Sequence, residues 1–429
     1  MSKATTGAST RKRDGGAGKE KGRVRLAALD DAPAREFAPF GSDPLSELLR
    51  DRVREIIEQT IEEEVDAALG AGSYERIASR RGFRHGHATR TISTSFGSTE
   101  IAMPRARLTR EDGRREEWRS SVIRRYQRRT ADVDNAVVGL YLSGANTRRI
   151  KGALRPLLKG APLSKSAVSR LVTRIKGECD TWRNRSLESE YFAYLYLDGF
   201  SLKVRCGGKV VTMTILGVVG VREDGQKVLV SLEIGAGESE AAWRSLLDSL
   251  MARGLKEPRL CIIDGCPGLQ AALRSVWRNA RVQRCTVHKL RNLLAKAPHH
   301  MQDAIRDDYH AIVYAETEIE ARASYERFLS RYERQCQKVV ESLREAGEEL
   351  LTFFGYPSSQ WKSLRTTNVI ERVHEEFRRR VKTQASLPDE ASALTLLVAL
   401  VLSGQIRMWR IHGCEDMNVI VRRDMKEAS

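Results

Sequence analysis

No stretch of this sequence is long and apolar enough to cross a bilayer. A spanning helix takes about 20 apolar residues, and the most apolar run, 393–402, stops short of that and reads as a buried helix. Cysteine is sparse and unpatterned, with seven in 429 residues: Cys179, Cys206, Cys261, Cys266, Cys285, Cys336 and Cys414. An odd count without regular spacing excludes an ordered disulfide framework and points to a reducing compartment. The N-terminus lacks the apolar core of a secretory signal. These absences predict a cytoplasmic protein with no membrane partner. Acidic residues are also short, 56 against 73 lysines and arginines, for a net charge of +17. That excess favours a polyanionic partner, and nucleic acid is the first candidate.

What is there centres on two strand ends. In 259–268, RLCIIDGCPG, the apolar run Leu260–Ile263 leads into Asp264 and turns on Gly265. In 194–200, YLYLDGF, alternating Tyr and Leu lead into Asp198 and Gly199. A carboxylate at the mouth of a buried strand is costly unless it is paired or binds a metal. A single Asp-Gly is a common turn. Two of them at strand ends, with a later helical glutamate, form a stronger pattern.

Taken in order, residues 1–40 read as a disordered basic tail, rich in Gly, Ala, Ser, Lys and Arg. Residues 41–130 open with Asp43 and Pro44, suited to a helix start. An apolar stripe from Leu45 to Val65 then predicts one long helix ending near Gly70, facing its own domain or a second chain. Arg80, Arg81 and Arg84 precede two expected strands, Thr91–Phe96 and Thr99–Met103, joined at Gly97-Ser98. Ten arginines follow in residues 105–129. This part is expected to contact a DNA backbone and to dimerise.

Residues 131–185 read as helices. The last begins SKSAVSRLVTRIK, capped by Ser164. Ala167, Val168, Leu171, Val172 and Ile175 can face inward while Lys165, Ser166, Ser169, Arg170 and Arg174 face out. The pattern resembles a helix-turn-helix whose second helix enters a major groove. The rival is an ordinary small bundle.

From residue 190 the texture changes to strands. Three strands, a helix, a strand and a helix, with Asp on the first and fourth strands, is the order of an RNase H-like mixed sheet. This α/β core is expected over 190–292. An all-helical insertion follows over 293–358, read as Met301–Glu316, Glu318–Cys336 and Gln337–Phe354. The second part of the core, 359–429, carries WKSLRTTNVIERVHEEFRRRVK at 361–382. Ile370, Val373, Phe377 and Val381 form the buried stripe of its helix. Glu371 lies near the helix start, where the dipole favours a carboxylate. Arg378, Arg379 and Lys382 lie on a basic face suited to phosphate.

Two metal ions about 3.5–4 Å apart can activate an attacking oxygen and stabilise the leaving oxygen of a phosphodiester. Mg²⁺ or Mn²⁺ needs carboxylate oxygens. Asp198 is the candidate to bridge two ions, with Asp264 and Glu371 holding one each. Glu375 and Glu376 rival Glu371. Cys285 and His288 have ligand spacing but are only half a zinc site.

At these motifs the sequence resembles the Mutator-type transposases of bacterial insertion sequences, from about residue 45 to 412. The matching parts are LDGF with Asp198, IIDGCPGL with Asp264, QRCTVHKLRN with Cys285 and His288, and the long motif with Glu371. RRGFRHGHATRTISTSFGSTEIAMPR also looks like the family's N-terminal region. The resemblance implies an Asp-Asp-Glu triad of Asp198, Asp264 and Glu371. It also implies a place near the active site for Cys285 and His288, and a DNA contact for Arg365. It further implies binding of terminal inverted repeats, strand cleavage, and transfer of the freed 3′ end into target DNA. A homodimer or higher multimer at the bacterial nucleoid follows from pairing two ends. Two other classes stay open on the residues alone: a DNA-binding regulator without catalysis, and a nuclease or resolvase on the same fold.

Overall fold

The computed structural model describes residues 43–145, 147–158, 163–206, 208–382, 387 and 389–417. The expected basic tail, 1–40, lies outside them. Helix α1, Pro44–Leu69, is the long helix that its stripe predicts. Only its C-terminal half is covered. Ile61, Val65 and Leu69 are fully buried, while Leu45, Leu48 and Ile56 are 61%, 56% and 62% exposed. Complete burial of such a side chain contributes about 1.5–3 kcal/mol, so the covered half anchors the helix.

That half packs on a hairpin of β1, Gly82–Thr94, and β2, Gly97–Thr109, edged by the short β3, Arg115–Glu117. Ile92, Ile101 and Met103 meet Ile61. The hairpin is longer than its apolar residues suggest, and the turn is Ser95-Phe96, since Thr94 pairs with Gly97. The Thr94 hydroxyl donates to the Gly97 carbonyl and accepts from the Phe96 N–H, which fastens the turn there. Acidic residues of α1 hold the basic segment down. Glu62 and Asp66 each take one arm of Arg84 at 2.5 Å, and Glu64 accepts from the Ser121 N–H.

Three helices follow: α2, Ala131–Leu142; α3, Thr147–Leu158; and α4, Lys165–Arg183. Val133, Val137, Ile150, Leu154, Val168 and Leu171 close one small core between them. The Ser164 hydroxyl accepts from the Ala167 N–H and caps α4. Helix α4 runs seven residues beyond the expected Lys176. Its far end is tied to the rest of the chain at Cys179, whose thiol donates to the Thr395 carbonyl.

The main sheet has strands β4, Phe192–Cys206; β5, Lys209–Arg222; β6, Lys227–Gly235; β7, Leu260–Ile263; and β8, Arg281–Arg284. Helices α5, Glu240–Ala252, and α6, Pro267–Val276, precede and follow β7. The spatial order is β6-β5-β4-β7-β8. The first three strands are antiparallel, and β7 and β8 add in parallel. Strand β8 was not expected: RVQR has no apolar run to announce it.

Strand alternation divides the core. Leu195, Leu197 and Val218 face α5 and α6. Tyr194, Tyr196 and Phe200 face the opposite side. There lie α12, Asn368–Lys382, and α13, Glu390–Leu402, once the helices between have been passed. Those are α7, Thr286–Lys296; α8, Gln302–Val313; α9, Glu318–Tyr332; α10, Gln337–Ala346; and the single turn α11, Trp361–Leu364. The described residues between β8 and α12 contain no strand. The third expected helix breaks at Gly347 and gives way to short 3₁₀ turns, because Gly347 takes a φ of +48°.

Helix α10 is held to the sheet by buried charge. Glu345 accepts from Arg284 at 2.9 Å and from Lys289 at 2.6 Å, and both cations are 3% exposed or less.

Candidate active site

Strand register brings the two aspartates together. Leu197 of β4 is in register with Ile263 of parallel β7, and Asp198 and Asp264 are the next residues on each chain. Alternation turns both toward the α12 side. Beyond Asp264 the chain turns on Gly265 at φ +100°. A Cβ there would also lie 2.1 Å from an Arg284 nitrogen. The Asp264 carboxylate accepts the Cys266 N–H at 2.9 Å and so closes the turn over α6.

Helix α12 supplies Glu371 in its first turn. Ile370, Val373, Phe377 and Val381 are buried against the sheet, as their spacing predicts. Thr367, just before the helix, holds the glutamate: its hydroxyl donates to Glu371 Oε1 at 2.6 Å. Cys285 and His288 sit behind this threonine. The Thr367 N–H donates to Cys285 Sγ at 3.4 Å, and His288 Nδ1 lies 3.3 Å from the Thr367 hydroxyl and 3.7 Å from Glu371. Among the described residues, donor atoms of Cys285, His288 and Glu371 lie within 4.8 Å of one another. The hydrogen bond to Cys285, together with the Cys285, Glu371 and Asp264 charges, raises the His288 pKa to about 9 against the cost of burial. Burial pushes the Cys285 thiol up, but hydrogen bonds to His288 and Thr367 outweigh it and lower its pKa.

Asp198, Glu238, Asp264, Glu371, His288, Arg291, His374, Glu375 and Arg378 line one cavity of about 270 Å³. Burial first, then the charge of Asp198, raises the Asp264 pKa. Burial first, then Asp264 and Asp198, raises that of Glu238. The cavity's carboxylates offer hard oxygen donors that suit Mg²⁺ or Mn²⁺, and His288 and His374 line it beside them. His374 is 2% exposed and lies 3.2 Å through Nδ1 from Asp198 Oδ2. Its ring stacks on Phe200 at 3.9 Å. This contact sets the His374 ring directly beside the Asp198 carboxylate.

The arginines expected on DNA divide. Arg80 donates to the Glu75 and Gly82 carbonyls, and Arg81 to the Ala67 carbonyl near the end of α1. Arg84 is bound by its two carboxylates. Arg81 and Arg84 thus tie the hairpin to α1, while Arg80 holds the loop that joins them. Arg365 is half-buried and lies over the exposed Tyr314 ring at 4.3 Å, and its backbone carbonyl accepts from Thr286. Ser166, Ser169, Arg170 and Arg174 are exposed along α4, which Lys165 opens. Arg378 lies over Phe200 at the cavity, Arg379 pairs with Glu376 at 2.5 Å, and Lys382 is exposed at the end of α12. Three cavity residues carried no sequence signal as site residues: Glu238, which precedes an ordinary helix cap, Arg291, and His374, which sits within the buried stripe of α12.

Residues 35–410 match the family described as "Transposase, Mutator family", and the chain belongs to it. It is 34% identical over 354 residues to the transposase for insertion sequence element ISRM5 of Rhizobium meliloti, covering 82% of this chain and 87% of that one. It is 31% identical over 364 residues to the transposase for element IS1081 of Mycobacterium tuberculosis, covering 85% and 86%. The catalytic domain of Mos1 mariner transposase is a solved structure with 12% identity, covering 48% of this chain and 95% of that one at a TM-score of 0.18. So slight an overlap carries no argument. Among the described residues no helix is long and apolar enough to cross a membrane.

Proposed function

We propose that this chain binds the terminal inverted repeats of an insertion sequence and cleaves and joins DNA through Asp198, Asp264 and Glu371 on an RNase H-like core. The observation that carries the reading is the single cavity lined by all three carboxylates, two of them at the ends of adjacent parallel strands. The sheet order β6-β5-β4-β7-β8 supports the fold, with the helical segment 293–358 as an insertion before the Glu371 helix.

Asp198, between the other two in the chemistry, would bridge two Mg²⁺ or Mn²⁺ ions, and Asp264 and Glu371 would hold one each. Such a pair supplies an activated oxygen nucleophile and neutralises charge on the leaving oxygen. His374 and Thr367 keep the Asp198 and Glu371 carboxylates in place before DNA arrives. Arg291 and Arg378 offer positive charge to phosphate at the rim. In cleavage, a water oxygen bonds to phosphorus, the bond to the 3′ oxygen breaks, and a proton ends on that oxygen to leave a 3′-hydroxyl while the other stays on the new phosphate. In joining, that 3′-hydroxyl oxygen bonds to a target phosphorus, the bond to the target's own 3′ oxygen breaks, and the hydroxyl proton passes in net to the displaced oxygen. Helix α4 reads the ends through Lys165, Ser166, Ser169, Arg170 and Arg174. Ends are paired in a homodimer or higher multimer, a reading supported by the exposed apolar half of α1.

The test uses purified protein, labelled element-end DNA and a target plasmid, with Mg²⁺ or chelator. Metal-dependent cleavage and joined products are expected, lost in Asp198→Asn, Asp264→Asn and Glu371→Gln while end binding persists. Binding without cleavage would turn the reading to a regulator, and cleavage without joining to a nuclease. Near-normal cleavage by Glu371→Gln would move the third role to Glu375.

A further inference from the structure

We infer that Glu238 is a fourth carboxylate of the metal site, beside Asp198 and Asp264; this rests on the metal-site reading above. Glu238 comes from the loop between β6 and α5, not from any of the three acidic motifs. Its carboxylate occupies the space over Gly199, the residue after Asp198. A Cβ at Gly199 would lie 2.6 Å from Glu238 Cδ and Oε1. The backbone of the same loop rests on the other acidic turn. A Cβ at Gly268 would lie 2.6 Å from the Glu238 carbonyl and 2.7 Å from the Glu240 nitrogen, and the Cys266 thiol donates to the Glu238 carbonyl at 3.3 Å. The loop is thus wedged between the two strand-end turns, and a side chain at either glycine would push it out.

What this close approach achieves is electrostatically adverse in the protein alone. Glu238 faces the Asp198 and Asp264 charges, and no salt bridge to it exists among the described residues. A merely structural glutamate at a helix start would point to the amide end of its helix. Here the cap is made by the next residue: the Ser239 hydroxyl accepts the Ala242 N–H. Glu238 is exposed and lines the cavity, and its carboxyl also takes a hydrogen bond from Cys266. A divalent cation is the chemistry that would offset three carboxylates lining one cavity. A hard ion seeks about six oxygen ligands, and two ions sharing only three carboxylates leave many positions to water. A fourth carboxylate raises the negative charge of the donor set and strengthens the hold on the ion near Asp198.

The experiment measures Mn²⁺ binding by electron paramagnetic resonance on the full chain bound to element-end duplex. Wild type is compared with Glu238→Gln and Asp264→Asn. Expected is loss of tight binding in Asp264→Asn and about a tenfold or greater weakening in Glu238→Gln, the scale for losing a group that supports a metal. The Mg²⁺ concentration for half-maximal end cleavage should rise by a similar factor in Glu238→Gln. With chelator, Glu238→Gln should melt no lower than wild type, because removing a like charge relieves repulsion. Unchanged Mn²⁺ affinity in Glu238→Gln, with loss in Asp264→Asn, overturns the role of Glu238 alone. Unchanged affinity in both variants overturns the metal site itself. Gly199→Ser serves as a second probe, since its side chain displaces Glu238 and should weaken Mn²⁺ in the same way.

Discussion

Arg84 and Arg170 show how one side-chain type serves two ends. Arg84 is part-buried between Glu62 and Asp66, with 16% of its side chain exposed. Arg170 lies exposed on α4 with no salt bridge to it among the described residues. Each phosphate contact adds nearly one unit to the slope of log affinity against log salt. Arg170→Ala should therefore lower that slope by about 1 for end DNA. Arg84→Ala should leave the slope unchanged and destabilise the protein by about 2 kcal/mol, since two carboxylates lose a charged partner. Salt titrations and denaturant melts measure both. The reverse pattern would move the DNA face from α4 to the hairpin.

At the scale of elements, α12 aligns the site. Its apolar stripe sets the rotation of the helix, and the rotation aims Glu371 and His374 at the cavity. Phe377 is fully buried and lies parallel to Phe200 at 6.0 Å. Phe377→Ala should destabilise by about 3–5 kcal/mol through lost burial and the cavity left behind. Because Phe200 also supports the His374 ring, cleavage should fall further than the folded fraction does. Equal losses of folded fraction and cleavage would show that the helix packs without aiming.

For the whole molecule, the question is what keeps the helical segment in register with the sheet. Glu345 on α10 joins Arg284 of β8 and Lys289 of α7, and Arg284 also packs against the Asp264 turn. Removing Glu345 leaves two buried cations short of a partner. Glu345→Gln should destabilise by about 3 kcal/mol at pH 7, the low end for a broken buried pair because the carboxylate is half in solvent. Opposed by burial, the hydrogen bonds and charges of Arg284 and Lys289 lower the Glu345 pKa from 4.5 to about 2. A depressed carboxylate contributes stability that is present above 4.5 and lost as pH falls toward 2. The gap between wild type and Glu345→Gln should therefore narrow between pH 4.5 and 2. Urea melts at several pH values measure it, and a gap that is constant with pH would sink the ion-pair account.

Much of this could be read from the chain itself. The run into Asp198 alternates and the run into Asp264 is continuously apolar, so both strands and their acidic ends were legible. So were the stripe of α12 and the inward and outward faces of α4, because periodicity is a local property. Strand β8 was missed because RVQR is neither apolar nor alternating, and it exists only because β7 offers it an edge. The hairpin's full length was hidden for the same reason.

Sequence alone thus determined the periodic elements, the net positive charge and the residues able to hold a hard metal. Tertiary structure decided which of those residues face one another. Register brought Asp198 beside Asp264, and parity turned both toward α12. Close approach at Gly199 brought in Glu238, which no local pattern marks. Carboxylates of α1 gave Arg84 partners that its charge alone did not reveal. The physical reason is the range of the forces: propensity and periodicity act within a few residues, whereas burial, charge pairing and steric exclusion act between segments far apart in the chain.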